Sequence, residues 1–103
     1  MENKGMIDVH PLLTDRARLS IMALLAATKE RVDFLGLLGS LGMTKGNLSS
    51  HLRRLEDEGL IEVTKSFIER KPHSAYRCTE AGREAVQRYL VNVEKLLKEV
   101  GKV

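Results

Sequence analysis

The stretch Thr44-Lys45-Gly46-Asn47-Leu48-Ser49-Ser50-His51-Leu52-Arg53-Arg54-Leu55-Glu56-Asp57-Glu58-Gly59 decides the fold of this chain. Thr44 is a good N-cap, because its hydroxyl can accept from one of the backbone N–H groups that a helix leaves unpaired at its start. Met43 and Leu48 fill the two positions of a hydrophobic staple around that cap. Leu48, Leu52 and Leu55 recur at spacings of four and three and therefore share one face. Gly59 supplies the left-handed stop. The segment reads as a helix to about Glu58, with three leucines inward and Gly46, Ser50 and Arg53 outward, flanked by Asn47, Ser49 and Arg54.

The reading extends in both directions from this helix. Upstream, Asp33 caps a short helix over about Phe34–Leu41, with Val32 and Leu37 as its staple and Gly42 as its stop. Two helices joined by a short Gly-containing turn make a helix-turn-helix, about 34–58. Before it, Thr14 or Asp15 opens a helix to about Thr28, in which Leu19, Met22, Ala23, Leu25 and Ala26 repeat at helical spacing. Residues 1–5 are polar and expected to fray, whereas Ile7, Val9, Leu12 and Leu13 are too apolar for a free tail. Downstream, Leu60–Ile68 is rich in β-branched residues and reads as a strand, with Ile61, Val63 and Phe67 in one phase and Lys65 breaking it. Glu69–Ser74, punctuated by Pro72, reads as a loop. Ala75–Cys78 returns as a short strand, and Thr79 caps a last helix reaching about Val100. A hairpin over about 60–78 directly after the second helix makes the motif winged. The expected class is α+β, mostly α: one domain, 1–103, with a winged helix-turn-helix and a long C-terminal helix over about 80–100.

The outer face of the central helix carries chemistry suited to nucleic acid. A helix fits the major groove of B-DNA, and its N-terminal half reaches base edges. Lys45, Asn47, Ser49, Ser50, Arg53 and Arg54 are the candidates there, since Asn matches adenine, Arg and Lys match guanine, and Ser serves bases or phosphates. Any solvated amphipathic helix has a polar outer face, so two details matter. Gly46-Asn47 are poor helix formers, the Gly costing roughly 1 kcal/mol, and Gly permits close backbone approach to another molecule. The acids Glu56, Asp57 and Glu58 are confined to the C-terminal turn. From Lys65 to Arg77 the hairpin carries Lys65, Arg70, Lys71 and Arg77 against Glu69 alone, a balance of +3 that equals the net charge of the whole chain. Lys65, Arg70, Lys71 and His73 are therefore candidates for contact with the phosphate backbone or minor groove. In the last helix, Val86, Leu90, Val93, Leu97 and Val100 hold heptad spacing. With Ile7, Val9 and Leu12 they are expected to form a homodimer seam; the competing expectation is packing along the chain's own first helix.

Composition narrows the alternatives. A hydrophobic fraction of 43% with 30% charged residues excludes global disorder. Aromatics at 4%, without Trp, argue against a base-stacking strip or a polysaccharide platform. The single cysteine, Cys78, excludes an internal disulfide and a Cys-rich zinc module. The start MENKGMIDVH lacks the apolar core of a signal peptide, and no apolar run approaches the roughly 18 residues of a membrane span. A cytoplasmic protein with no membrane partner is expected.

The string Gly46-Asn47-Leu48-Ser49-Ser50-His51-Leu52-Arg53-Arg54-Leu55, closing at Gly59-Leu60-Ile61, resembles the recognition helix of small MarR/ArsR-like transcriptional regulators, and most of all the short stand-alone winged helix DNA-binding domain family of archaea and bacteria. Lys65-Ser66-Phe67 with Arg70-Lys71-Pro72 is similar to that family's wing. Tyr76-Arg77-Cys78-Thr79-Glu80-Ala81-Gly82-Arg83 resembles its Leu-Thr-x-x-Gly-Arg start of the last helix, and Arg18-Leu19-Ser20-Ile21 its upstream Arg-Leu-x-Ile-Leu. The likeness runs from about His10 to Leu97. It implies a homodimeric, sequence-specific binder of double-stranded DNA acting in transcription, with Lys45, Asn47, Ser49, Ser50 and Arg53 toward the major groove and Arg70 and Lys71 in the wing. Cys78 and Met22 stand where the pattern has leucine, as core exchanges of similar polarity.

Four other functions compete. A metal sensor needs clustered Cys and His, but His10, His51, His73 and Cys78 are scattered in the sequence. A redox switch at Cys78 needs an exposed thiol, whereas Cys78 shares its phase with Tyr76 and points inward. A winged helix can serve as a protein–protein interaction module without sequence-specific DNA binding; the positive charge on helix and wing favours DNA. Catalysis finds no paired-carboxylate, phosphate-loop or metalloprotease pattern, and Ser49-Ser50-His51 lies across two helix faces. No cofactor and no small-molecule effector are expected.

Overall fold

The computed structural model describes residues 7–102; the expectation for residues 1–5 lies outside them. A single 3-10 turn, Pro11–Thr14, precedes helix α1 (Arg16–Ala26). A two-residue strand β1 (Val32–Asp33) leads into α2 (Phe34–Leu41), and α3 (Lys45–Asp57) follows. The hairpin β2 (Ile61–Ile68) and β3 (Lys71–Cys78) comes next, then α4 (Glu80–Gly101). The sheet is antiparallel in the order β1-β3-β2. This is the winged-helix fold with a long C-terminal helix.

Local chemistry sets the start of each α-helix and the ends of α2 and α3. The side chains of Asp15, Asp33, Thr44 and Thr79 each accept from a backbone N–H three residues on. Gly42 at φ 63° ends α2. Gly59 at φ 74° ends α3 in a Schellman arrangement, with Leu60 N–H donating to the Leu55 carbonyl and Gly59 N–H to that of Glu56. The core joins Leu13, Ile21, Met22, Leu25, Leu37, Leu48, Leu52, Leu55, Leu60 and Ile61 with Cys78, Ala85 and Val86. In α1 the inward stripe is Arg18, Ile21, Met22 and Leu25, while Ala23 faces solvent. The expected stripe is thus rotated, because Ile21 and Arg18 belong to the same three-four repeat.

The hairpin differs most from expectation. Residues 69–74 are not a loop: β3 begins at Lys71, and only Glu69 and Arg70 turn the chain. Both sit at positive φ, 50° and 67°, the conformation of the two-residue turns whose twist matches a hairpin. Pro72 is tolerated in the strand. It lies opposite Phe67, one step from the Ile68↔Lys71 pair that closes the turn, so its missing N–H would have pointed away from β2. On that side β1 reaches only Tyr76 and Ala75. The short β1 itself was not expected from the sequence.

The Asp33 cap makes a pH prediction. Its carboxyl is held below the ordinary 3.8, first by the Gly36 N–H and then by His73, whose Nε2 lies 3.2 Å from Oδ2. A carboxylate with a depressed folded pKa contributes stability that is complete above its unfolded value and lost as pH falls through the folded one. Asp33→Asn keeps a capping oxygen but does not titrate. Thermal midpoints of this variant are expected to fall less steeply than wild type below about pH 4; parallel curves would remove the assignment.

Candidate nucleic-acid interface

The Thr44 cap and the leucine stripe fix how α3 presents its outer side. With Leu48, Leu52 and Leu55 buried, Lys45, Gly46, Asn47, Ser49, Ser50, Arg53 and Arg54 are all exposed. A Cβ at Gly46 would meet nothing within 4 Å. His51 is half-buried: its Nδ1 lies 3.4 Å from a guanidinium nitrogen of Arg18. Arg18 is 9% exposed and donates through Nε to the Leu12 carbonyl at 2.8 Å. This buried arginine ties the N-terminal segment to α3. Sequence reading missed it, because an Arg on an otherwise apolar stripe declares its partners only through the fold.

Alternation along the hairpin sorts the wing. Ile61, Val63, Lys65 and Phe67 lie directly across from Cys78, Tyr76, Ser74 and Pro72, all on the α3 side of the sheet. A groove of about 220 Å³ runs between the two elements. Ser49, Arg53 and the acidic Glu56 line it from α3, Lys65 and Ser74 from the hairpin, together with Leu52, Val63 and Tyr76. Arg70 and Lys71 stand exposed at the tip. Among the described residues, Lys45, Arg53, Arg54, Lys65, Arg70 and Lys71 form no ion pair. They are cations available to phosphates.

The candidate His73 and the basic Arg77 are engaged elsewhere. Arg77 pairs with Glu62, which also meets Arg31 at 3.5 Å. His73 is held by Asp33 on the opposite face of β3 from Ser74. The positive charge counted in the hairpin is thus concentrated on Lys65, Arg70 and Lys71. Phe67, in phase with Ile61 and Val63, is 76% exposed; alternation says nothing of how far the strand outruns the core.

The helix expected to carry a seam divides in two. Gly82, Ala85 and Val86 are buried in the chain's own core, so Val86 is covered without a partner. Leu90, Leu97 and Val100 are exposed at 58%, 66% and 70%, and Val93 is half-buried. Alongside lies the N-terminal segment, where Asp8 N–H donates to Asn92 Oδ1 and Asn92 Nδ2 donates back to the Asp8 carbonyl, at 3.1 and 2.8 Å. Ile7 is exposed there, Val9 is half-buried, and Leu12 packs against the core.

Cys78 is buried, and burial pushes its thiol above the ordinary value. Nucleophilicity requires the thiolate, so this thiol is disfavoured as a reactive group. Among the described residues no three metal-ligating side chains gather, and no helix is long and apolar enough to cross a membrane.

Comparison with known proteins gives a consistent picture. The profile of a family described as the winged helix DNA-binding domain matches residues 17–97. An uncharacterized protein of Methanocaldococcus jannaschii is 35% identical over 83 residues, spanning 81% of this chain and 89% of that protein. The structure of a transcriptional regulator homologue from Pyrococcus horikoshii OT3 superposes with a TM-score of 0.78 at 30% identity, over 86% of this chain and 87% of that one. The S. aureus MepR–DNA complex shares the fold, with a TM-score of 0.74 at 16% identity over 88% and 77% of the two chains. Family and fold are those of transcription regulators and not of an enzyme family.

Proposed function

Because the chain belongs to the winged helix DNA-binding domain family, we propose that it is a cytoplasmic, MarR/ArsR-like transcriptional regulator that binds specific sites in double-stranded DNA as a homodimer. One observation carries the reading: unpaired cations on α3 and on the wing flank a single groove, on one side of the molecule. In this reading α3 enters the major groove, where Asn47, Arg53 and the serines meet base edges. The wing tip holds phosphate or a narrow minor groove through Arg70 and Lys71. The exposed apolar half of α4 supports a two-fold seam, which would place two recognition helices about one DNA turn apart, ~34 Å, or a small multiple of it. Selection of bound duplexes from a random pool is expected to return a pseudo-palindrome; an asymmetric motif bound by one chain would count against the dimer.

Reading and holding are separable. Asn47→Ala or Arg53→Ala is expected to cost about 1–3 kcal/mol on the selected site and relax one position of it. Arg70→Ala with Lys71→Ala should weaken all duplexes evenly, each lost phosphate contact flattening log K against log salt by roughly one. The assignment of α3 as reader fails if the wing variant changes sequence preference while the helix variants leave it intact.

A further inference from the structure

Among the described residues, Phe67 is the most exposed of the large apolar side chains, at 76%, and it stands near the tip of a basic hairpin. Its place in the ladder is well defined. It lies across from Pro72 in a pair of the closely spaced, non-hydrogen-bonded kind, and proline's fixed φ stiffens the strand beneath it. Lys65, two residues earlier, shares its face, Arg70 follows in the turn, and Lys71 opens β3 on the opposite face. That same face is the α3 side, where Lys65 and Arg53 line one groove. Beyond the part of the sheet that β1 covers, Lys65–Ile68 carry the tip roughly 13 Å further, toward the groove next to the one α3 would occupy. An aromatic ring among unpaired cations, turned to the same side as a recognition helix, fits a polyanion whose interior is apolar.

We propose that Phe67 is a wedge that the wing sets into the DNA minor groove, against a base step, with Lys65 on its own face and Arg70 in the turn gripping the phosphates on either side. The proposal rests on the DNA-binding reading above and adds a contact that reads deformability rather than hydrogen bonds. An apolar side chain pressed between base pairs partly unstacks them, which costs least at the flexible TA and CA/TG steps. The wing therefore selects such a step beside each half-site without touching a base edge. Ile68, paired with Lys71 on the opposite face of the hairpin, takes no part.

Fluorescence anisotropy with duplexes that share the selected half-sites and differ only in the flanking steps tests this. Wild type is expected to prefer a flanking TA or CA step. Phe67→Ala should lose that preference and bind the preferred duplex roughly tenfold more weakly, as removal of much of a buried aromatic's contact implies. Its slope of log K against log salt should be unchanged, because no charge is removed. Phe67→Leu should retain most of the affinity, and Ile68→Ala all of it. Wild-type affinity and step preference in Phe67→Ala would overturn the wedge, as would a flattened salt slope or an equal loss from Ile68→Ala. Loss of binding to phosphatidylserine vesicles with DNA binding intact would reassign the ring to a membrane surface and also overturn it. A wild type that binds no duplex would overturn the DNA-binding reading itself, and the wedge with it.

Discussion

Leu90→Glu combined with Leu97→Glu is expected to give a folded chain that sediments as a monomer at micromolar concentration and binds its selected site at least about a hundredfold more weakly. Both side chains are more than half exposed in the single chain, so the substitutions leave the core untouched. In a two-fold seam, however, they would bring carboxylates into an apolar contact without partners, which is strongly unfavourable. The loss on DNA follows from valency: two linked recognition helices engage two half-sites with an effective-concentration gain of about 10²–10⁴, which a monomer forfeits. Circular dichroism matching wild type would confirm that folding is intact. A wild type already monomeric at that concentration, or a variant still dimeric, would remove the seam.

Gly82→Ala is expected to be the most damaging methyl addition among the described glycines. Its Cβ would stand 2.0 Å from the Leu60 carbonyl oxygen and 2.9 Å from both Cys78 Sγ and Met22 Cε. The methionine tip can move, but the carbonyl cannot do so cheaply, because it already accepts the Thr79 N–H at 3.0 Å. The Thr79 hydroxyl also donates to the Gly59 carbonyl at 2.6 Å, so the first turn of α4 is bonded to the end of α3. Separating them should cost about 3 kcal/mol or more, a large share of the roughly 5–15 kcal/mol holding a domain of this kind. Gly46→Ala is the matched control. It adds the same methyl group to open space within α3 and should be neutral or stabilising by up to about 1 kcal/mol. Urea midpoints distinguish the two, and equal midpoints would refute the close-approach argument.

These cases show which parts of the fold the sequence carries openly. Caps and stops are local chemistry, so Asp15, Asp33, Thr44, Thr79, Gly42 and Gly59 can be read directly and bound the helices within a residue or two. The outward face of α3 follows once its leucines are assigned inward. What escapes is decided across long sequence separations. Arg18 meets His51, Asp33 meets His73, and Asp8 meets Asn92. Strand β1 exists only because β3 passes beside it. The extent of β3 was hidden for a different reason: Pro72 and a turn without glycine are ordinary loop signals, overruled here by the register. Phe67 and Arg77 mark the limits of pattern and of charge counting. Alternation identifies a face but not whether that face is covered, and a count of charges does not show which are already paired.

The Glu69–Arg70 turn sets two demands against each other at the wing tip. A left-handed conformation costs an ordinary L-residue roughly 1–2 kcal/mol, and both turn residues adopt it. Asparagine followed by glycine would relieve that strain and make a more durable hairpin. It would also delete the guanidinium proposed to grip the phosphate backbone. Stability and grip are thus antagonistic at a single position, and sequences drifting toward the better turn would drift away from the better binder. Selection for heat resistance alone should erode this tip first, whereas selection for occupancy of a DNA site should preserve its strain.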